Sequence, residues 1–179
     1  MSWIGRLKGY VVTTGAVFLS HADPHETLIS FQETLCRGKV QLQRCHHNSD
    51  LYLHSDRVNN LPRFIYVTLD QITITSFVSF VISHLIEGIP CLLVGYAVPE
   101  PYQNQGRAKK TLNSAIIALK AGFRRAGFSF FYIEAIVDLE NVAAQKVAQA
   151  VLTKKYQKIT DHSSRLPARS YLCKIEIDT

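Results

Sequence analysis

The sequence predicts a mixed α/β (α+β) fold, and three observations carry that expectation. Cys91 to Val98 is a continuous apolar run rich in Leu and Val, bounded by Pro90 before it and Pro99 and Pro101 after it, as a buried strand would be. Leu112, Ala115, Ile116, Leu119, Phe123 and Ala126 then recur at spacings of three and four, which sets them on one helical face, and Gly127 is a natural left-handed stop. Phe128 to Val137 is a second β-rich run, after which Ala144, Val147, Ala148 and Val151 give a further helix a face of small residues.

The remaining elements follow in chain order. Arg6 and Lys8 precede the apolar stretch Tyr10 to Leu19, and Ser20-His21-Ala22 has the small-residue look of a cleavage site. Two Thr and a Gly interrupt that stretch, so a first strand is the expectation. Asp23-Pro24-His25-Glu26 reads as an N-cap, a proline at the first helical position and an acidic residue closing a capping box. Leu28, Phe31 and Leu35 share a face of that helix, Gly38 ends it, and His21 and His25 flank the turn and face solvent. Between Lys39 and Pro62 the pattern weakens into a polar stretch, Cys45 to Asp50, followed by Leu51-Tyr52-Leu53, which no periodicity assigns. Strands resume at Arg63 to Leu69 and Ile72 to Leu85, and Glu87-Gly88 turns the chain into the strand at Cys91. Tyr156 to Thr160 and Tyr171 to Ile177 read as a closing antiparallel pair joined by a loop containing Pro167.

At 179 residues the chain has the size of one domain, expected to span 1–179. An apolar content of 47% against 19% charged residues excludes a disordered chain. Twenty basic against 14 acidic residues give a formal net charge of +6, which favours an anionic ligand or partner; nucleic acid would satisfy it but is not required. No repeat or low-complexity tract is present. No apolar run approaches the roughly 20 residues that span a bilayer, so no membrane partner is expected. Cys36, Cys45, Cys91 and Cys173 are scattered without C-x-x-C spacing and read as reduced thiols in a cytoplasmic protein.

Chemistry concentrates at Gln103-Asn104-Gln105-Gly106-Arg107-Ala108, where the apolar strand gives way to the amphipathic helix. A helix N-terminus carries N–H groups without intrahelical partners and the positive end of the dipole, so it can hold a phosphate. Gly106 allows close approach to the backbone, and Arg107, Lys109 and Lys110 add positive charge, whereas Lys120, Arg124 and Arg125 read as a solvated surface. Such a loop is equally an ordinary strand-to-helix turn. Cys45, His46, His47 and His54 place metal-ligand types within ten positions. The adjacent histidines would point to opposite sides of a strand and no second cluster completes a tetrahedral set, so no metal is expected.

The pattern Gln103-x-x-Gly106-x-Ala108 after the strand Val94-Gly95-Tyr96-Ala97-Val98 resembles the pyrophosphate-binding loop of the GNAT superfamily of acetyl-CoA-dependent N-acetyltransferases, written there as Arg/Gln-x-x-Gly-x-Gly/Ala. A second segment, Tyr132 to Ala144, is similar to the strand-loop-helix of the same superfamily, in which an Asn, here Asn141, opens the next helix. Its wording Ile-Glu-Ala-x-Val is closest to the branch of ribosomal-protein N-terminal acetyltransferases, and the resemblance covers roughly the second half of the chain. It implies a GNAT-like mixed, largely antiparallel central sheet with helices on both faces, and a cofactor entering where two neighbouring strands splay apart. It also implies acetyl-CoA (coenzyme A) as acyl donor, which alone would satisfy the basic excess. The residues this assigns to the cofactor are Val98, Gln103, Asn104, Gln105, Gly106, Arg107, Ala108, Lys109 and Asn141. Val98 would lend backbone groups to the pantetheine arm, and Asn141 would contact the cofactor while also capping its helix. The acceptor amine is left open among a protein N-terminus, a lysine, a small amine and an aminoacyl-tRNA, and a homodimer is compatible.

Direct acetyl transfer needs a neutral amine, so a carboxylate or water chain must take its proton, and the leaving thiolate benefits from a nearby acid. Many family members place a Tyr seven residues after the Asn; here that position is Ala148. The Ser that the N-terminal acetyltransferase branch often carries three residues after the Asn is Ala144. Glu100 and Tyr156 are therefore the first candidates for catalytic groups, with Glu134 on the splayed strand as a further carboxylate and Tyr96 read as packing. The resemblance implies an acyl-CoA-dependent N-acyltransferase; the alternative of a different class is a catalytically inactive GNAT-fold protein that binds CoA or a partner.

Overall fold

A computed structural model describes residues 23–46 and 48–177, so the strand expected at Tyr10 to Leu19, and with it His21 and His47, lies outside the described residues. Helix α1 (Pro24–Cys36) starts as the sequence dictates, with the Asp23 carboxylate accepting from the His25 N–H at 2.9 Å and Pro24 in the first turn. Glu26 and His25 are both exposed. The cap's second side-chain bond comes from Thr27, whose hydroxyl donates to the Asp23 carbonyl at 3.0 Å.

Among the described residues eight strands form one sheet: β1 (Gln43–Cys45), β2 (Asn48–Val58), β3 (Leu61–Asp70), β4 (Thr73–Ile86), β5 (Ile89–Ala97), β6 (Phe130–Asp138), β7 (Gln157–Thr160) and β8 (Pro167–Glu176), in the order β1-β2-β3-β4-β5-β6-β8-β7. Every neighbouring pair is antiparallel except β5 and β6. The meander is set by turn chemistry. Asn59-Asn60, with φ of 48° and 64°, and Glu87-Gly88, with φ of 50° and 80°, both put two left-handed residues between strands, the requirement of a tight hairpin whose twist matches the sheet.

Two helices complete the described chain, α2 (Arg107–Arg125) and α3 (Val142–Val151). Alternation along the strands sorts the core into two layers. Phe64, Tyr66, Val78, Phe80, Ile82, Leu92 and Val94 pack with Leu112, Ala115, Leu119 and Phe123 of α2 and with Ala148 of α3. Ile65, Val67, Ile74 and Phe77 pack with Leu28 and Phe31 of α1 on the opposite face. The helices thus lie on both faces of a largely antiparallel sheet, as the resemblance implies. Among the described residues no helix is long and apolar enough to cross a membrane.

Two sequence expectations change. The unassigned stretch from Lys39 to Pro62 holds β1 and β2, polar because they form one margin of the sheet; of β2 only Leu51 is fully buried. Pro167 does not lie in the closing loop but opens β8 opposite Thr160, a first-residue position where a proline removes no needed ladder donor.

The feature that creates a site is the parallel pair. β5 and β6 share only Cys91↔Tyr132, Leu92↔Ile133 and Leu93↔Glu134. Past these, β5 stays with β4 through Val94 to Ala97, and β6 stays with β8 through Ala135 to Asp138. The two strands part and leave a V that opens at their C-terminal ends.

Candidate active site

One wall of the V is the end of β5 and the start of α2. After Ala97 the chain runs through Val98 and Pro99 into a single 3-10 turn, Glu100–Tyr102, and reaches Gly106, the N-cap of α2. Gly106 has φ +69° and offers no side-chain cap; the first helical bond runs from the Lys110 N–H to its carbonyl at 3.1 Å. The N–H groups of Arg107, Ala108 and Lys109 therefore have no carbonyl within the helix and point out of its end. A Cβ built on Gly106 would meet nothing within 4 Å, so the space over this backbone is open.

The loop holds its own shape. Gln103 Nε2 donates to the Val98 carbonyl at 3.0 Å, which closes the loop across its base. Gln105 Nε2 donates to the Pro101 carbonyl at 3.4 Å and its Oε1 accepts from Arg107 Nε at 3.0 Å. The Arg107 guanidinium also lies 5.1 Å from the centre of the Tyr102 ring. Asn104 sits at φ +59° in the left-handed region. Gln103, Asn104, Gln105, Gly106 and Lys109 are exposed, and Arg107, Ala108 and Val98 half-buried. The side chains of Gln103, Gln105 and Arg107 thus build the loop, while its exposed backbone is what a ligand would meet.

The other wall is the start of α3. Asn141 is its N-cap, with Oδ1 accepting from the Ala144 N–H at 3.0 Å. Tyr96, read from the sequence as packing, does more: its hydroxyl donates to the Ala144 carbonyl at 2.6 Å and so ties β5 to α3 across the V. Burial holds the Tyr96 phenol above its ordinary pKa, so it stays a neutral donor. No sequence signal could find this bond, because its acceptor is a main-chain carbonyl far along the chain.

Among the described residues no hydrogen bond, ion pair or ring contact joins Glu100 to Tyr156. Glu100 is exposed at the head of the 3-10 turn. Tyr156 lies between α3 and β7, its ring 5.7 Å from that of Tyr171 and 4.3 Å beneath the Arg169 guanidinium. Arg169 Nη1 donates to Gln145 Oε1 at 2.8 Å, and Gln145 Nε2 donates to the carbonyls of Asp138 and Leu139 at 2.9 and 2.8 Å. Tyr156 thus completes a stack that fixes the end of β6 beneath α3. Glu134 accepts from Ser170 Oγ at 2.6 Å. In the Cys45 to His54 segment, Cys45 packs toward the α2 side, whereas the His54 ring lies 5.6 Å from Phe31 of α1 and its Nδ1 meets the Gln41 carbonyl at 3.0 Å. The sheet separates those two residues.

No protein-family profile and no curated protein matches the sequence. Solved structures do resemble it. A GNAT-family acetyltransferase from Streptococcus pneumoniae is similar at 15% identity and a TM-score of 0.48, over 63% of this chain and 66% of its own. A ribosomal-protein-S5-alanine acetyltransferase from Vibrio fischeri is similar at 21% identity and a TM-score of 0.47, over 66% of this chain and 63% of its own. A Salmonella typhimurium protein solved with its cofactor acetyl-CoA is similar at 13% identity and a TM-score of 0.49, over 90% of this chain and 92% of its own. The likeness is to acetyltransferases of the GNAT family. The present chain spans slightly under two thirds of the length of the first two, and at such identities residue roles have to come from its own geometry. At the two positions where the GNAT pattern often carries Tyr and Ser, Ala148 is fully buried on the core-facing side of α3 and Ala144, one turn earlier, packs against the core.

Proposed function

We propose that the protein is an acyl-CoA-dependent N-acyltransferase that moves acetyl from acetyl-CoA to a primary amine. The observation that carries this reading is the open V between β5 and β6 with the free N–H groups of the α2 N-terminus at its mouth. Those of Arg107, Ala108 and Lys109 would hold the pyrophosphate, with the Arg107 and Lys109 charges beside it and Gly106 permitting close approach. The pantetheine arm would run down the unpaired side of β5 past Val98. Asn104 and the Asn141 amide nitrogen, free once its oxygen caps α3, would add contacts from the two walls. Gln103 and Gln105 would act by holding the loop, as their bonds to Val98 and Pro101 indicate.

In the reaction the amine nitrogen attacks the thioester carbonyl carbon, the C–S bond breaks, the amine proton leaves to a base and the thiolate takes up a proton. Glu100, exposed beside the loop, is the candidate to receive the amine proton, directly or through water; Tyr156 is the candidate acid. The four free cysteines fit a cytoplasmic setting.

A second reading has a specific observation behind it. Ala148 and Ala144 leave the site without the familiar acid, which favours a protein that binds CoA or a partner without transferring the acyl group. Titration with acetyl-CoA, followed by thiol release in the presence of peptide N-termini, lysine, small amines and aminoacyl-tRNA, separates the two. A raised melting temperature with thiol release supports transfer. A raised melting temperature without release from any amine supports binding alone, and no change in melting temperature removes the cofactor site.

A further inference from the structure

β4 does not pair evenly with β5. Ile82 lies opposite Leu92, but the next pair is His84↔Cys91, which leaves Ser83 as the extra residue of a bulge. Ile82 and Leu92 face the α2 core, so strict alternation would send His84 to that side as well. The bulge turns it to the side of Cys91. Glu134 joins them from β6, because it stands opposite Leu93, which points the same way as Cys91. One ligand atom from each of the three side chains lies within 4.8 Å of the other two.

We propose that His84, Cys91 and Glu134 form a site for a single zinc-class divalent cation on the α1 side of the sheet, at the point where β5 and β6 begin to part. The donor set argues for the class of ion. One thiolate, one imidazole and one carboxylate suit zinc, whereas magnesium and calcium prefer oxygen alone. The imidazole is set for the task by Ser83. Its hydroxyl donates to the Cys91 carbonyl at 3.2 Å, so its oxygen receives the proton of His84 Nδ1 at 2.9 Å. That tautomer leaves Nε2 with its lone pair, the arrangement in which a partner of the remote nitrogen orients a metal-binding histidine. Ser170 likewise holds Glu134 Oε1 at 2.6 Å and leaves the other carboxylate oxygen unengaged. Cys91 is buried, while His84 and Glu134 are partly exposed, so an ion has a path in and water can take the fourth position. Tetrahedral bonds of about 2.0–2.3 Å put donors roughly 3.5 Å apart. Rotations of the two partly exposed side chains close the group from its present spread.

This group shares no residue with the proposed cofactor site and is tested without acyl transfer. The purified protein, equilibrated with Zn2+ and desalted, is analysed for bound metal, and Co2+ is titrated as a spectroscopic substitute. One retained ion per chain and a thiolate-to-cobalt charge-transfer band are expected. Cys91→Ser should remove the band, and Glu134→Gln, which can still accept from Ser170, should weaken Co2+ binding at least about tenfold. Cys45→Ser, a thiol outside the group, should change neither. A band that survives Cys91→Ser, an unchanged affinity in Glu134→Gln, equal loss in Cys45→Ser, or no retained ion overturns the proposal. Should Cys91→Ser fail to fold, the Glu134→Gln affinity decides alone.

Discussion

Gly106 is the residue on which the cofactor reading turns. Its φ of +69° is costly for any L side chain, about 1 kcal/mol, yet a Cβ there would touch nothing within 4 Å. Gly106→Ala should therefore lower stability slightly, without a clash. Gly106→Glu should abolish CoA binding in calorimetry, because bulk and negative charge would occupy the place of the pyrophosphate; normal affinity in that variant would move the site elsewhere. Gln103→Ala, by contrast, removes only the bond to the Val98 carbonyl and should weaken binding a few-fold. Tyr96→Phe deletes the hydroxyl that bridges to the Ala144 carbonyl, a loss of about 1 kcal/mol of stability. Because that bond spans the V, its removal should also reduce CoA affinity. A lower melting temperature with unaltered affinity would make Tyr96 a brace and nothing more.

Among the elements, α3 depends on its cap. Asn141→Ala should cost about 1 kcal/mol through the lost bond to the Ala144 N–H, and CoA affinity with it. A drop in melting temperature alone would leave Asn141 a purely structural residue. The docking of α1 rests on a close approach: a Cβ on Gly95 would come within 3.0 Å of Pro24 Cγ and 3.5 Å of Ser79 Oγ. Gly95→Ala should push the first turn of α1 away from β5 and destabilise the protein by roughly 1–3 kcal/mol in urea titration, an overpacking effect. The three helices and the strands from β3 to β6 were legible because each has a private signal: Asp23-Pro24, the α2 stripe from Leu112 to Phe123, Glu87-Gly88 in the hairpin. β2 was not, since its pattern reflects a lightly covered sheet margin, where burial is too sparse to impose a period. The loop at Gly106 could be read from the sequence because it is contiguous. The group at His84 could not, because simple alternation puts that side chain on the wrong face until the bulge at Ser83 is known.

Across the whole molecule, buried phenols set an alkaline limit. Burial raises Tyr66 and Tyr96 above the ordinary value of 10.0, so both remain protonated in the folded chain when the unfolded chain has begun to lose these protons. Above about pH 10 the unfolded state binds fewer protons and stability must fall as pH rises; below it these two groups contribute no slope. Urea midpoints measured on both sides of that pH should show the decline, and Tyr66→Phe should make it shallower. A midpoint that stays level in the parent protein would mean that the phenols ionise freely in the native state. The strand order carries a different kind of consequence. β8 is inserted between β6 and β7, so β7 has no partner in the sheet until residues 167–176 arrive. During synthesis from the N-terminus the hairpins from β1 to β5 can assemble as they emerge, but β6 must wait with one edge bare. A nascent chain arrested just before Pro167 would then expose that edge to any neighbour able to add a strand, and a chaperone holding it until β8 emerged would guard the interval.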